Sequence, residues 1–114
     1  MKILVVDDDN DFADGMAEML TLFGHAVHTA YTCDDGIAAA TQGPFDLALI
    51  DIGLAGRNGA DCARELGKLG SAARCILMTG YSTDALKNMD ISVKEFTVLR
   101  KPVKPEDLEP YLKD

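Results

Sequence analysis

The chain has 114 residues, of which 47% are hydrophobic and 26% are charged, a composition typical of one globular domain. Its formal net charge of −8 argues against direct nucleic-acid contact, because affinity for DNA comes largely from Lys and Arg side chains that neutralise phosphates. The apolar runs are too short for a membrane span or a signal peptide, so we expect a cytoplasmic protein with no membrane contact and one domain over residues 1–114.

Five short apolar runs alternate with five helix-like segments along the chain. Three runs are unbroken by polar side chains, as expected for strands buried on both faces, and two are mixed, which suits the edges of a sheet. The unbroken runs are residues 3–6, 47–50 and 75–78, and the mixed runs are residues 26–30 and 97–100. Strands that alternate with helices in this way predict βα units and a parallel sheet.

Helix signals lie after each run. Apolar residues at helical spacing mark the first helix, and Gly24 follows it as a C-cap. Residues that cap helix starts precede the next three helices, namely Thr32, Asn58 and Ser82. Pro105 suits the first turn of a fifth helix, which should be short because Pro110 would strain its interior.

The three cysteines, Cys33, Cys62 and Cys75, are odd in number and show no close pairing in sequence. In a protein expected to be cytoplasmic, this pattern favours three reduced thiols over a disulfide or a metal site.

Polar side chains follow four of the five predicted strands. Asp7, Asp8 and Asp9 follow the first strand, Asp51 the third, Thr79 the fourth and Lys101 the fifth. In an open parallel sheet, ligands bind outside the carboxyl ends of the strands. The sequence therefore predicts one site in which carboxylates, a hydroxyl and an ammonium group meet.

These groups suit Mg²⁺-dependent phosphoryl transfer. Mg²⁺ prefers one or two carboxylates with waters and phosphate oxygens, so Asp8 and Asp51 could ligate it directly and Asp7 through a water. A carboxylate can also attack a phosphoryl group to give an acyl phosphate, while Lys101 and Thr79 would contact its oxygens. Taken singly, each residue is as readily a cap, turn or loop residue. Their coincidence at four strand ends favours the site.

Four motifs stand at these strand ends: Val-Val-Asp-Asp at 5–8, Leu-Ile-Asp-Ile at 49–52, Met-Thr-Gly at 78–80 and Lys-Pro at 101–102. In this order and spacing the chain resembles, over essentially its whole length, the receiver domains of bacterial two-component response regulators. The resemblance implies a flavodoxin-like α/β fold, (βα)5, with a doubly wound parallel five-stranded sheet of order 2-1-3-4-5.

The resemblance also implies roles for the residues of the predicted site. Asp51 would be the phospho-acceptor, and Asp7 and Asp8 would form an acidic pocket for Mg²⁺ together with Asp51 and the backbone carbonyl of Gly53. Thr79 would be the switch hydroxyl.

Lys101 would be the lysine that faces the phosphate, and the Lys101–Pro102 bond is expected to be cis. The phosphoryl donor would be a sensor histidine kinase or a histidine phosphotransfer protein. Phosphorylation would switch the face of helix 4, strand 5 and helix 5 to control an effector protein or an attached output domain, or to form a dimer. Such a domain is not an enzyme on other substrates and catalyses only its own phosphorylation and dephosphorylation.

Two positions depart from the pattern of that family. Ala55 stands where receivers usually have a proline, and Val98 stands where many have an aromatic switch residue. A rotating aromatic therefore cannot carry the signal at position 98. The remaining aromatic near the site is Tyr81, which could shield the phosphoryl group, relay the switch or be an ordinary loop residue.

Two other classes share parts of this pattern. A haloacid-dehalogenase-type phosphohydrolase would use Asp7 as nucleophile and Asp9 as general acid/base, but this leaves Asp8 and Asp51 without their simplest roles. A flavodoxin-like FMN binder would have to hold a phosphate at its first loop, where three aspartates would repel it unless a cation intervened.

Overall fold

The computed structural model describes residues 1–70, 72 and 74–112, so the last two residues of the predicted domain lie outside the described part. Strands and helices alternate throughout this part. The strands are β1 (Lys2–Val6), β2 (Ala26–Ala30), β3 (Leu47–Asp51), β4 (Cys75–Thr79) and β5 (Thr97–Arg100). The helices are α1 (Asn10–Leu22), α2 (Cys33–Gln42), α3 (Gly59–Lys68), α4 (Thr83–Asn88) and α5 (Pro105–Leu108), and a 3₁₀ turn follows at Glu109–Tyr111.

The five strands form one parallel sheet of order β2-β1-β3-β4-β5. The predicted fold, strand order and edge strands are therefore confirmed. Within the described residues, no helix is long and apolar enough to cross a membrane.

Alternate side chains of the central strands fill two separate cores, one on each face of the sheet. One core packs strand residues against α2, α3 and α4, and its buried strand members are Leu4, Val6, Ala30, Ala48, Ile50 and Leu77. The other packs against α1 and α5, and its strand members are Ile3, Val5, Leu47, Leu49, Ile76 and Met78. Burial on both faces explains why β1, β3 and β4 are apolar without interruption.

Helix starts are capped as predicted. The side chains of Thr32, Asn58 and Ser82 each accept a hydrogen bond from the backbone N–H three residues later. Pro105 occupies the first turn of α5, which is only 4 residues long before the chain tightens into the 3₁₀ turn that contains Pro110. Each loop therefore leaves the sheet in a defined direction.

The expectation of three reduced cysteines is wrong. Cys33 and Cys62 form a disulfide with a Cα–Cα distance of 5.9 Å, and Cys75 is a free thiol. Cys33 opens α2 and Cys62 lies in the second turn of α3, so two helices that share one face of the sheet bring the sulfurs together. Their separation of 29 residues in sequence gave no sign of this contact.

We expect thiol counting to show this pairing. Protein purified without reductant and unfolded in guanidinium should take up one maleimide group, and prior reduction should raise the number to three. Reduction should also lower the free energy of unfolding by about 3 kcal/mol, because the bond closes a long loop. Three adducts without reductant would show that the two thiols lie together unbonded.

Candidate functional site

The register of the sheet brings the predicted site residues to one edge. Val6 of β1 lies opposite Ile50 of β3, so the side chains that follow, Asp7 and Asp51, leave neighbouring strands at the same level. On the other side of β3, β4 ends at Thr79, which pairs with Arg100 at the end of β5. Carboxyl ends of parallel strands thus place these groups side by side.

Three carboxylates form the centre of the site. Oxygen atoms of Asp7, Asp8 and Asp51 all lie within 4.8 Å of one another. Asp7 is fully buried and Asp51 is 8% exposed, whereas Asp8 is exposed at the rim. Carboxylate oxygens at this spacing are the donor set that a hard divalent cation prefers, so these residues fit Mg²⁺.

Lys101 supplies the positive charge of the site. Its Nζ lies 2.8 Å from Oδ2 of Asp7 and 3.3 Å from Oδ1 of Asp51. The ring of Phe12 covers the ammonium group at 4.1 Å from the ring centroid. This cation–π contact was not predicted, because an apolar residue on the buried side of α1 gives no sign in sequence of which cation it meets.

The pKa of Asp51 is raised above its ordinary value. Burial is the main cause and the nearby carboxylate of Asp7 adds to it, while Lys101 and the backbone N–H of Gly53 act in the opposite direction. The pKa of Lys101 is raised too: burial lowers it, but the carboxylates of Asp7 and Asp51 together outweigh burial. The ammonium group of Lys101 therefore neutralises only part of the negative charge of the carboxylates.

The loop after β3 lies against two of the carboxylates of the site, those of Asp8 and Asp51. The backbone N–H of Ala55 donates to Oδ2 of Asp8 at 3.0 Å. A Cβ on Gly53 would lie 3.6 Å from Oδ2 of Asp51 and 3.9 Å from the Tyr81 ring, so the acceptor carboxylate, the loop and this ring are neighbours. Gly59 must lack a side chain, because a Cβ there would collide with the carbonyl group of Asp51.

Thr79 links the site to the loop that leads into α4. Its side chain is buried, and its Oγ1 accepts a hydrogen bond of 2.9 Å from the backbone N–H of Tyr81. Its carbonyl accepts from the backbone N–H of Lys101 at 2.8 Å. The bond between Lys101 and Pro102 is cis, as expected. The structure therefore brings Asp7, Asp8, Asp51 and Lys101 into one cluster, and it places Thr79 at the neighbouring strand end.

Two of the three consecutive aspartates are engaged in ways that do not suit a phosphohydrolase. Asp9 caps α1 by accepting from the N–H of Phe12 at 3.1 Å. Both oxygens of Asp7 are occupied, one by the N–H of Asp9 at 2.9 Å and the other by Lys101. A buried carboxylate held in this way is poorly placed to attack a phosphoryl group.

The family described as the response regulator receiver domain matches residues 3–113 of the chain. The chain belongs to this family. It is a receiver domain of two-component response regulators, a phospho-acceptor switch rather than a typical enzyme.

Two curated relatives illustrate how far the likeness extends. The transcriptional regulatory protein DltR of Streptococcus agalactiae is 28% identical over 110 residues, which are 95% of this chain and 48% of that protein. The two-component response regulator PhoP of Pseudomonas aeruginosa is 30% identical over 114 residues, which are 98% of this chain and 50% of that protein. The receiver domain thus spans about half the length of these relatives.

Solved structures agree with this assignment. A CheY-like receiver domain protein from Methanospirillum hungatei JF-1 has a TM-score of 0.83 at 33% identity, covering 97% of this chain and 89% of that chain. A response regulator from Burkholderia pseudomallei with a phosphorylated aspartic acid, calcium ion and citrate has a TM-score of 0.80 at 27% identity, covering 98% and 66%. Response regulator TrrA from Thermotoga maritima, in complex with Mg²⁺–BeF, has a TM-score of 0.77 at 26% identity, covering 97% and 95%.

The raised pKa of Asp51 predicts a pH-dependent effect of the substitution Asp51→Asn. The metal-free fold holds the proton of Asp51 more tightly than the unfolded chain does. Tighter proton binding by Asp51 stabilises the fold below the pKa that Asp51 has in the unfolded chain. This stabilisation is lost as pH rises through the pKa of Asp51 in the folded state. We therefore expect Asp51→Asn to melt at a higher temperature than the parent at pH 7.5 in EDTA, and the difference to shrink towards pH 4. A difference in melting temperature that stays constant with pH would show that the raised pKa of Asp51 is not its cause.

Proposed function

We propose that Asp51 accepts a phosphoryl group in a Mg²⁺-dependent reaction and that residues 1–114 form one receiver domain. The observation that supports this proposal is the position of the Lys101 ammonium group, 3.3 Å from Asp51 and within one cluster of three carboxylates. Phosphoryl transfer needs positioned positive charge more than covalent chemistry by the protein. Lys101 supplies such charge beside the carboxylate of Asp51.

Asp51 is better placed to be the nucleophile than the other two carboxylates. Asp7 has both oxygens engaged and no exposed surface. Asp8 is exposed and accepts from the N–H of Ala55. The side chain of Asp51 keeps 12% of its surface exposed, and the small residue Gly53 beside it leaves space for a phosphodonor. An oxygen of Asp51 would form the new bond to phosphorus as the bond to the donor's leaving nitrogen or oxygen breaks.

The proposed metal ligands are the carboxylates of Asp7, Asp8 and Asp51 and the backbone carbonyl of Gly53. Asp7 could act through a water, since it already binds Lys101. Bound Mg²⁺ supplies positive charge against the phosphoryl oxygens and relieves repulsion among the carboxylates.

Lys101 and Thr79 are proposed to hold the phosphoryl group once it is on Asp51. The Lys101 ammonium lies between two carboxylates and can turn to a phosphoryl oxygen without moving its backbone, because its stem is long and flexible. The Thr79 hydroxyl can donate to another oxygen while its own oxygen accepts from Tyr81. The reaction is thus the domain's own phosphorylation and dephosphorylation.

We propose a cytoplasmic domain whose phosphodonor is a sensor histidine kinase or a histidine phosphotransfer protein. Because DltR, a transcriptional regulatory protein, is about twice as long as this chain, an attached output domain or a separate effector would read the switch. The face of α4, β5 and α5 is the proposed output surface, and it would control that partner or form a phosphorylation-dependent dimer. Direct contact with nucleic acid or membrane is not expected of this domain.

Labelling with a small phosphodonor tests the acceptor. With Mg²⁺ and acetyl phosphate, we expect one phosphoryl group per chain, labile to base and hydroxylamine, and located on Asp51 by mass spectrometry. Asp51→Asn should abolish the label, whereas Asp9→Asn should retain it, because Asp9 only caps α1. A label on Asp7 or Asp9, or sustained turnover of an aryl phosphate, would instead support a phosphohydrolase.

The substitution Tyr81→Ala tests what the ring beside the site does. The ring lies next to Gly53 and is 45% exposed, a position that favours shielding of the phosphoryl group from water. We expect Tyr81→Ala to speed the loss of phosphate from Asp51, and Tyr81→Phe to preserve the parent rate because it keeps the ring.

The same Tyr81 variants distinguish shielding from relay. If the rate of dephosphorylation is unchanged but amide exchange on the face of α4, β5 and α5 no longer responds to phosphorylation, Tyr81 relays the switch. If neither changes, Tyr81 has no part in the mechanism.

A further inference from the structure

We propose that the backbone N–H of Ala55 is a positioning group that holds Asp8 ready to bind the metal. This inference rests on the proposed magnesium site. The hydrogen bond from the Ala55 N–H to Oδ2 of Asp8 is 3.0 Å long and joins residues 47 positions apart in sequence. It ties the end of β1 to the loop after β3.

The hydrogen bond leaves one oxygen of Asp8 for the metal. In the part of the chain that the structure describes, Oδ2 of Asp8 takes this hydrogen bond and Oδ1 makes none. A carboxylate whose second oxygen is held by a donor has fewer orientations to lose when its first oxygen binds a cation. Outer-sphere hydrogen bonds of this type orient metal ligands and strengthen metal binding.

The same hydrogen bond sets the position of a second proposed ligand. The carbonyl of Gly53 precedes the Ala55 N–H by two residues on the same loop. Leu54, between them, is 7% exposed and packs in the core shared with α3, so the loop is anchored on one side by this side chain. The Ala55–Asp8 hydrogen bond anchors its other side. The two proposed ligands, Asp8 after β1 and the carbonyl of Gly53 after β3, are thereby held in a fixed position relative to each other.

The residues on either side of Leu54 and Ala55 are conformationally permissive. Glycines lie on both sides of the anchored pair, and Gly56 adopts a positive φ of 83° that few other residues adopt. Asp8 itself is exposed at the rim, where an unheld carboxylate would sample several rotamers. The N–H of residue 55 is therefore the group that converts a mobile acidic side chain into an oriented one.

Proline at position 55 could not make this contact, because it has no N–H. With Ala55 at this position, the loop makes a hydrogen bond to a proposed metal ligand. Substitutions at position 55 can therefore test this hydrogen bond directly.

The test measures the dissociation constant of Mg²⁺ by calorimetry, without a phosphodonor, for the parent, Ala55→Pro and Ala55→Ser. Loss of an outer-sphere partner typically weakens metal binding by about 10- to 100-fold, and we expect a loss of about tenfold for Ala55→Pro. Ala55→Ser keeps both the N–H and the Cβ and should bind as the parent does. Melting in EDTA shows whether each variant is folded.

A backbone ester at residue 55 covers the case in which proline disturbs the loop. Replacing Ala55 by lactic acid exchanges the N–H for an oxygen and keeps the side chain, and Cys62 provides a ligation junction for its synthesis. We expect the ester to lose Mg²⁺ affinity as Ala55→Pro does, with a cooperative melt in EDTA.

Asp8→Ala separates failure of the inference from failure of the site. Weak binding by Asp8→Ala with parent-like binding by the ester would overturn the role of Ala55 and leave the metal site in place. Tighter binding by the ester would also overturn it, since the hydrogen bond would then compete with the metal. If the parent binds no Mg²⁺, the proposed site and the inference are both wrong.

Discussion

The crowding of three carboxylates at one edge of the sheet is the constraint on which the other features of this domain depend. Neighbouring parallel strands end at the same level, so the carboxylates of Asp7 and Asp51 lie close together. The carboxylate of Asp8 lies close to both. Lys101 can neutralise only part of this charge. A folded protein can hold like charges this close only where other contacts overdetermine the geometry. Here those contacts are the buried strands on both sides of β3 and the ring of Phe12 over the ammonium group.

Under the proposed function, phosphorylation of Asp51 would add charge to this crowded edge of the sheet. The proposed phosphoryl group would add negative charge and acceptor oxygens where Lys101 and Thr79 are joined by the hydrogen bond between their backbones. Thr79 in turn holds the N–H of Tyr81, at the start of the loop that leads to α4. These hydrogen bonds join the site to the loop that leads into α4, one element of the proposed output face. A local change in charge thus has a structured route by which it can bias a loop.

The three helices that share one face of the sheet, α2, α3 and α4, are held by different numbers of contacts. The disulfide joins α2 to α3, and Arg57, in the loop between β3 and α3, forms ion pairs with Asp34 of α2 and Glu65 of α3. By contrast, α4 has 6 residues, of which only Leu86 is buried. Elements with few buried contacts open at low free energy, and switching regions are drawn from them. The distribution of contacts therefore favours movement of α4 over movement of α2 and α3.

Much of this domain was determined by its sequence alone. Uninterrupted apolar runs predicted the strands, capping residues predicted the helix starts, and the groups at four strand ends predicted the members of the site, because each of these signals is local. The Cys33–Cys62 disulfide, the Phe12 ring over Lys101 and the hydrogen bond from Ala55 to Asp8 were decided only by the tertiary structure. Each joins residues from elements far apart in sequence, and a backbone N–H is the same in every residue but proline. Such contacts depend on where helices and loops come to rest on the sheet, which no local pattern specifies.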